Sequence, residues 1–223
     1  MTVPCLAYPA TPPPDPELLR RFEALSTSLI SDVFGRWAGA PGILPVAGVA
    51  PGGVVAGPAF TVRTRPGDNL VVHKALDIAE PGDFVVVDAG GATDRAILGG
   101  LMAHYSATRD LGALIVDGAV RDASDLESIG IPVFARGLNH LGPYKDGPGE
   151  LRGTVSIAGL PVANGDIVIG DEDGICVVPR AMADEIIVAA EAKGADEERT
   201  DEEIKRGEWD RSWIDEELDI TWL

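Results

Sequence analysis

The sequence predicts an α/β domain built on a mixed sheet, and three observations carry that prediction. Residues 84–116 read as strand, glycine loop, helix and strand, the order of a βαβ unit with a parallel pairing. Short apolar runs at 132–134, 154–157, 166–169 and 175–178 add more strands, broken by glycines, than a simple doubly wound sheet requires. Helical periodicity flanks this block on both sides.

Residues 1–16 hold six prolines and no periodic apolar pattern, which gives an extended arm on the surface or on a neighbouring subunit. From Glu17 to Trp37 the residues Leu18, Phe22, Leu25, Leu29, Val33 and Trp37 recur at three- and four-residue steps, an amphipathic helix with its stripe toward the core. Residues 41–58, rich in glycine, proline and valine, read as a loop leading to a strand at Ala59–Arg63, closed by the turn Arg65–Pro66–Gly67–Asp68. A helix over 69–79 follows, then the turn Pro81–Gly82–Asp83 and the continuous apolar run Phe84–Val87, suited to a strand buried on both faces.

After a glycine loop at 89–94, Arg95 to Thr108 reads as a helix with Ile97, Leu101 and Tyr105 on one stripe, followed by a strand at Ala113–Val116. From Arg180 a helix runs into the block Asp196–Glu203, where six acids and one arginine give a solvated face. Three of the four tryptophans, Trp209, Trp213 and Trp222, lie in the last fifteen residues, a tail apolar enough to dock on its own core or on another subunit. The chain thus divides into an arm (1–16), one α/β domain (17–180) and a C-terminal helix with its tail (181–223).

Composition narrows the function. With 36 acidic against 18 basic residues the net charge is −18, which repels phosphate backbones and excludes the basic footprint of a nucleic-acid binder. No apolar run spans a bilayer and the opening residues are not a signal peptide, so the expectation is a cytoplasmic protein without a membrane partner. Cys5 and Cys176 form no CxxC pair, and His73, His104 and His140 have no zinc-type spacing. Nucleotide-binding glycine patterns and local Ser–His–Asp or Cys–His signatures are absent.

The chemistry concentrates in two segments, Gly99–Gly100–Leu101–Met102 and Arg121–Asp122–Ala123–Ser124–Asp125. In a βαβ unit the loops at the carboxyl ends of parallel strands lie side by side, so both segments fit one crevice. Arginine offers a planar fork for a carboxylate, while an aspartate beside it is free to hold a hard cation. Asp125, three residues on, falls on the same side of a helical turn as Asp122. The competing reading is a surface ion pair opening a helix, with Asp122 or Ser124 as its cap. Gly99 and Gly100 either let an anion approach backbone amides or serve close helix packing.

At these residues the chain resembles the RraA-like family, which includes class II pyruvate aldolases acting on 4-hydroxy-4-methyl-2-oxoglutarate and 4-carboxy-4-hydroxy-2-oxoadipate. The resemblance runs from about Leu25 to Gly207, on GPAFTVRTRPGDN (57–69), PGDFVVVDAGG (81–91), the Gly100-to-Arg121 spacing, VDGAVRDASD (116–125), PVFARG (132–137) and NGDIVIGDEDGICVVP (164–179). It implies a swivelling β/β/α fold, assembled as a homotrimer or homohexamer with sites between subunits. It also implies a metal-dependent lyase releasing pyruvate from a small 2-oxo acid by retro-aldol cleavage or oxaloacetate decarboxylation. By the same match Arg121 binds the 2-oxo acid and Asp122 binds magnesium or manganese. Asp125 holds metal-bound water, and amides around Leu101 and Met102 hold the substrate carboxylate. Glu197, with Glu198 as an alternative, is the acid matched to a contribution from a neighbouring subunit. One departure stands out: many aldolase members carry an acid where this chain has Gly100. The rival implied by the same family is a protein-binding regulator without catalysis.

Overall fold

In the computed structural model, which describes residues 2–222, alternate residues of single strands divide between two cores. Strand β4 (Phe84–Asp88) sends Val85 and Val87 to one face and Phe84 and Val86 to the other, the period-two geometry of a strand covered on both sides. Every residue of β6 (Ala113–Val120) is buried, as a central parallel strand demands.

The elements before β4 are β1 (Cys5–Ala7), α1 (Pro16–Glu23), α2 (Thr27–Val33), β2 (Leu44–Ala47), β3 (Val55–Thr64) and α3 (Leu70–Ile78). Between β4 and β6 lie β5 (Ala96–Leu98) and α4 (Gly100–Thr108). After β6 come α5 (Ala123–Ile129), β7 (Val133–Leu138), β8 (Gly149–Leu151), β9 (Val155–Ile157), β10 (Leu160–Val162), β11 (Ile167–Asp171) and β12 (Gly174–Val178). Helices α6 (Ala183–Arg206) and α7 (Trp213–Glu217) complete the chain.

The main sheet runs β1-β8-β3-β4-β6-β7-β2. Its centre, β3-β4-β6-β7, is parallel, whereas β8 and β2 join antiparallel at the flanks. The first four residues of β3 pair antiparallel with β11, which pairs in turn with β12. The mixed sheet and the parallel β4–β6 unit expected from the sequence are therefore present. Helices α3, α4 and α5 cover one face through Val72, Leu76, Ala103 and Leu126. The other face packs against β9–β12 through Phe84, Ile115, Phe134, Ile157, Val168 and Val177. Phe134 fixes the spacing of those layers, since a Cβ at Gly170 would fall 2.5 Å from its Cζ. A third core joins α1, α2 and α6 to β11 and β12 through Phe22, Ile30, Ile169, Cys176 and Ile187.

Several local expectations are corrected. The single helix over 17–37 is two helices, because Ser26 starts a new one: its Oγ accepts from the Leu29 amide at 3.4 Å. Asp15 caps the first in the same way, accepting from Glu17 N at 2.9 Å, with Pro16 in the first turn. Trp37 lies beyond both helices and is exposed. The 41–58 loop contains β2 and the start of β3. The proline arm lies on its own chain: β1 pairs with β8, and Arg180 donates to the carbonyls of Pro12 and Pro13. The helix read over 95–108 begins only at Gly100, because Ala96–Leu98 pairs with β6 as a strand. Its buried side is then Met102, Ala103 and Ser106, leaving Leu101 and Tyr105 exposed. Among the described residues the tail after Gly207 does not dock on its own core, and Trp213 and Trp222 are exposed.

Candidate functional site

Strands β5 and β6 end side by side, with Leu98 paired to Val120. Immediately past that pair the Arg121 amide donates to the Leu98 carbonyl at 3.0 Å. Gly99–Gly100 at the start of α4 and Arg121–Asp122 before α5 are thereby juxtaposed at the carboxyl ends of parallel strands, the position where open α/β sheets bind ligands.

Asp122 makes the turn from β6 into α5 in the left-handed region, φ 61° and ψ 46°, which Asp and Asn tolerate better than other side-chain-bearing residues. That conformation aims its carboxylate back at α4. Asp122 Oδ2 accepts from the Gly100 amide at 3.1 Å, and Arg121 Nε lies 3.6 Å from the same oxygen. A carboxylate is favoured there by the partial positive charge of a helix N-terminus. Of the two sequence readings for Asp122, capping of its own helix fails, since its side chain makes no cap bond to α5.

Both glycines are there for close approach. A Cβ at Gly99 would fall 2.4 Å from Asp122 Oδ2 and 2.8 Å from Arg121 Cγ. A Cβ at Gly100 would fall 3.0 Å from Asp125 Cβ and 3.1 Å from Asp125 Oδ2, so Asp125 fills the space over that glycine. The Met102 amide already donates to Gly99 O at 3.0 Å. The Leu101 amide has no acceptor among the described residues.

Three hollows meet at Asp122. One of about 690 Å³ between α4 and α5 is lined by Gly100, Leu101, His104, Asp122, Asp125 and Ser128 among others. A second of about 500 Å³ runs between Arg121–Asp122 and Leu138, His140 and Leu141. The smallest, about 250 Å³, is bounded by Asn69, His73, Gly99, Arg121, Asp122 and Lys145 among others. Asn69 is buried and fixed: its Nδ2 donates to Ile97 O at 2.8 Å, and its Oδ1 accepts from Lys145 Nζ at 3.2 Å. His73 Nε2 is buried without a hydrogen-bond partner; burial, and then the positive charge of Lys145, hold the imidazole pKa below its ordinary value.

For a metal, the chain offers Asp122 and Asp125 on one hollow. Among the described residues no group of three or more His, Cys, Asp or Glu side chains converges on one point. Two carboxylates and open space fit a magnesium-type ion, which keeps several of its waters, better than a closed zinc site.

The structure therefore brings together Gly99, Gly100, Leu101, Met102, Arg121, Asp122 and Asp125. His140 borders the crevice. Glu197 is not among them: it sits on α6, paired with Lys193 at 2.7 Å, and lines none of the three hollows. Asn69, His73, His104 and Lys145 were missed. The available signal was the four-residue step from Asn69 to His73, which puts both on one side of a helix start.

Known proteins resemble the chain in sequence and in fold. The RraA-like family profile (Aldolase/RraA) matches residues 27–177. A Halalkalibacterium halodurans protein named "Putative 4-hydroxy-4-methyl-2-oxoglutarate aldolase" is 37% identical over 150 residues, 67% of this chain and 71% of that protein. An uncharacterized Pseudomonas syringae protein has a similar structure, with TM-score 0.79, 27% identity, and coverage of 93% of this chain and 95% of the other. Streptomyces coelicolor RraAS2, described as an unusual member of the RNase ES inhibitor RraA protein family, gives TM-score 0.75 at 27% identity, covering 83% of this chain and 96% of its own. In sequence and in fold the chain belongs to the RraA-like family.

Proposed function

We propose that the crevice around Asp122 is the active site of a divalent-metal-dependent lyase that cleaves a carbon–carbon bond in a small 2-oxo acid and releases pyruvate. The observation that carries this reading is the joint placement of Arg121 and Asp122 against the start of α4, where one side chain offers a carboxylate fork and the other an anionic ligand.

Arg121 binds the 2-oxo acid through its carboxylate, since its guanidinium is already oriented beside Asp122 and presents the rest of its donors to the hollows. The Leu101 amide, directed by the helix start, is a second donor for the same group. Asp122 would hold magnesium or manganese, and Asp125, on the same hollow, would hold water bound to it. When bound, such an ion would supply Lewis acidity toward the substrate ketone. Retro-aldol cleavage and oxaloacetate decarboxylation make the same electronic demand, so the site serves both. A site completed by Glu197 of a neighbouring copy, in a homotrimer or homohexamer, belongs to the same proposal.

Loss of oxaloacetate and appearance of pyruvate, followed with metal-stripped protein before and after magnesium or manganese is restored, tests the reading. Metal-dependent release supports it. Release no faster than the protein-free rate under both conditions would instead favour a protein-binding role, the second reading, to which the side-chain-free position at Gly100 lends support.

A further inference from the structure

A second cavity, of about 440 Å³, lies at the other end of the strands that carry the crevice. The crevice opens where β5 and β6 end, whereas this cavity is bounded by Pro58, Phe60 and the turn Gly82–Asp83, where β4 begins. Its size falls within the range of about 300–1,000 Å³ typical of small-molecule sites. The proline arm closes over it with Pro12, Pro13 and Pro14, and Leu19 of α1 adds to the apolar wall. That cover is fixed. Arg180 donates to the carbonyls of Pro12 and Pro13 at 3.3 and 3.1 Å, Thr11 Oγ1 donates to Asn164 O at 3.1 Å, and a Cβ at Gly165 would fall 2.6 Å from Thr11 Cγ2.

Three charged side chains line the same cavity: Glu80, Asp83 and Arg152. Burial, with the charge of Glu80 adding to it, holds the Asp83 carboxyl above its ordinary pKa, against the opposing pull of the Glu80 amide and of Arg152. A carboxylate in that position is stabilised by a cation. Arg152 is near enough to act on it yet makes no ion pair with it. Among the described residues the Asp83 side chain accepts only the Glu80 amide, at 2.9 Å, and the Arg152 side chain donates only to Ile78 O, at 3.4 Å. The guanidinium lies instead over the Phe60 ring, 5.0 Å from its centre, on a backbone with φ 62° that the Arg152 amide secures by donating to Thr61 O at 2.7 Å. An unpaired carboxylate and an unpaired guanidinium on one apolar cavity match a ligand that carries both charges and a hydrocarbon group.

We propose that this cavity binds a free amino acid with an apolar side chain, its ammonium held by Asp83 and Glu80, its carboxylate by Arg152, and its side chain among the prolines, Leu19 and Phe60. This holds whatever reaction the crevice supports. The test is calorimetric titration of the full-length protein with L-leucine and L-phenylalanine, each beside the amine that lacks its carboxylate and the acid that lacks its amine. Saturable heat is expected from at least one of the two amino acids, with its own amine and acid about 10- to 100-fold weaker, the scale of one lost charge-assisted hydrogen bond. Asp83→Asn, which keeps an acceptor for the Glu80 amide, should weaken binding by a similar factor. Leu19→Trp, which fills the cavity and touches neither charge, should abolish it, whereas Arg121→Ala in the crevice should leave it unchanged. No saturable heat from either amino acid would overturn the proposal. So would an amine or acid that binds as tightly as its amino acid. Binding lost in Arg121→Ala and kept in Leu19→Trp would place the amino acid in the crevice and overturn it as well.

Discussion

The Asp122 carboxylate reaches across 22 positions of sequence to accept the Gly100 amide at 3.1 Å, which ties the end of β6 to the start of α4. The contact needs a glycine at 99, a left-handed backbone at 122 and two parallel strands ending level with each other. Each requirement can be broken separately.

Gly99→Ala places a methyl group 2.4 Å from Asp122 Oδ2. The carboxylate and Arg121 must both move, and misplacement of about 1 Å costs a catalytic site about 10²-fold. We expect pyruvate release to fall by about that factor, with a stability loss of about 1–3 kcal/mol from overpacking. Activity equal to the parent in steady-state assays would contradict the site assignment.

Arg121→Ala should act on substrate binding. With the fork gone, KM for the 2-oxo acid rises and kcat/KM falls by about 10²–10³-fold, the scale of losing one preorganised donor. Half-saturation by metal should change far less, because Asp122 and Asp125 remain. A variant that loses metal affinity and keeps its KM would reverse the two roles.

The pH dependence of stability should carry a contribution from His73. Its pKa in the folded protein is lowered by burial and by Lys145. As pH falls through the unfolded value of about 6.5, the unfolded chain therefore takes up the proton first. Stability is fully present above that range and is lost as the pH drops through it. Denaturant midpoints of the parent and of His73→Gln should converge or cross between about pH 7.5 and 5.5, with the steeper fall in the parent. Parallel curves would show that the imidazole is not protected.

The two thiols should differ in reactivity. Cys5 is exposed, whereas Cys176 is buried with its pKa pushed up to about 12 by burial and by Asp171 nearby. Since the thiolate is the reactive form, a disulfide reagent should label Cys5 alone in the native protein and both cysteines in denaturant. Rapid native labelling of Cys176 would mean that the third core opens readily.

Phe134→Ala should destabilise the fold by about 3–5 kcal/mol, the range for truncating a fully buried aromatic. The ring is completely buried and packs on Gly170 across the two sheet layers. The effect is read as a lower denaturant midpoint at unchanged slope.

What was legible in the sequence followed local rules. Continuous apolar runs of strand length located β4, β6, β11 and β12, and their order implied the parallel β4–β6 unit. The crevice followed because both loops had to leave the carboxyl ends of parallel strands. Misread segments were those decided by tertiary pairing. Ala96–Leu98 has a helical pattern when read with its neighbours, yet it extends because β6 offers it a free edge. That pairing moved the helix start to Gly100 and turned Leu101 and Tyr105 outward. Ser26 broke the first helix through a cap that the apolar spacing did not register. Asn69, His73 and Lys145 went unread as site residues because they reach the crevice from the start of α3 and from a loop, with only the Asn69-to-His73 step as a signal.

The central claim is that Asp122 carries a metal on which the chemistry depends. Asp122→Asn is the sharpest probe, because asparagine tolerates the same left-handed backbone and still accepts the Gly100 amide while removing the charge. Pyruvate release from oxaloacetate should be titrated with magnesium and manganese in parent and variant side by side. Saturable, metal-dependent release is expected in the parent and none above the uncatalysed rate in the folded variant. Equal metal response in the two proteins would contradict it.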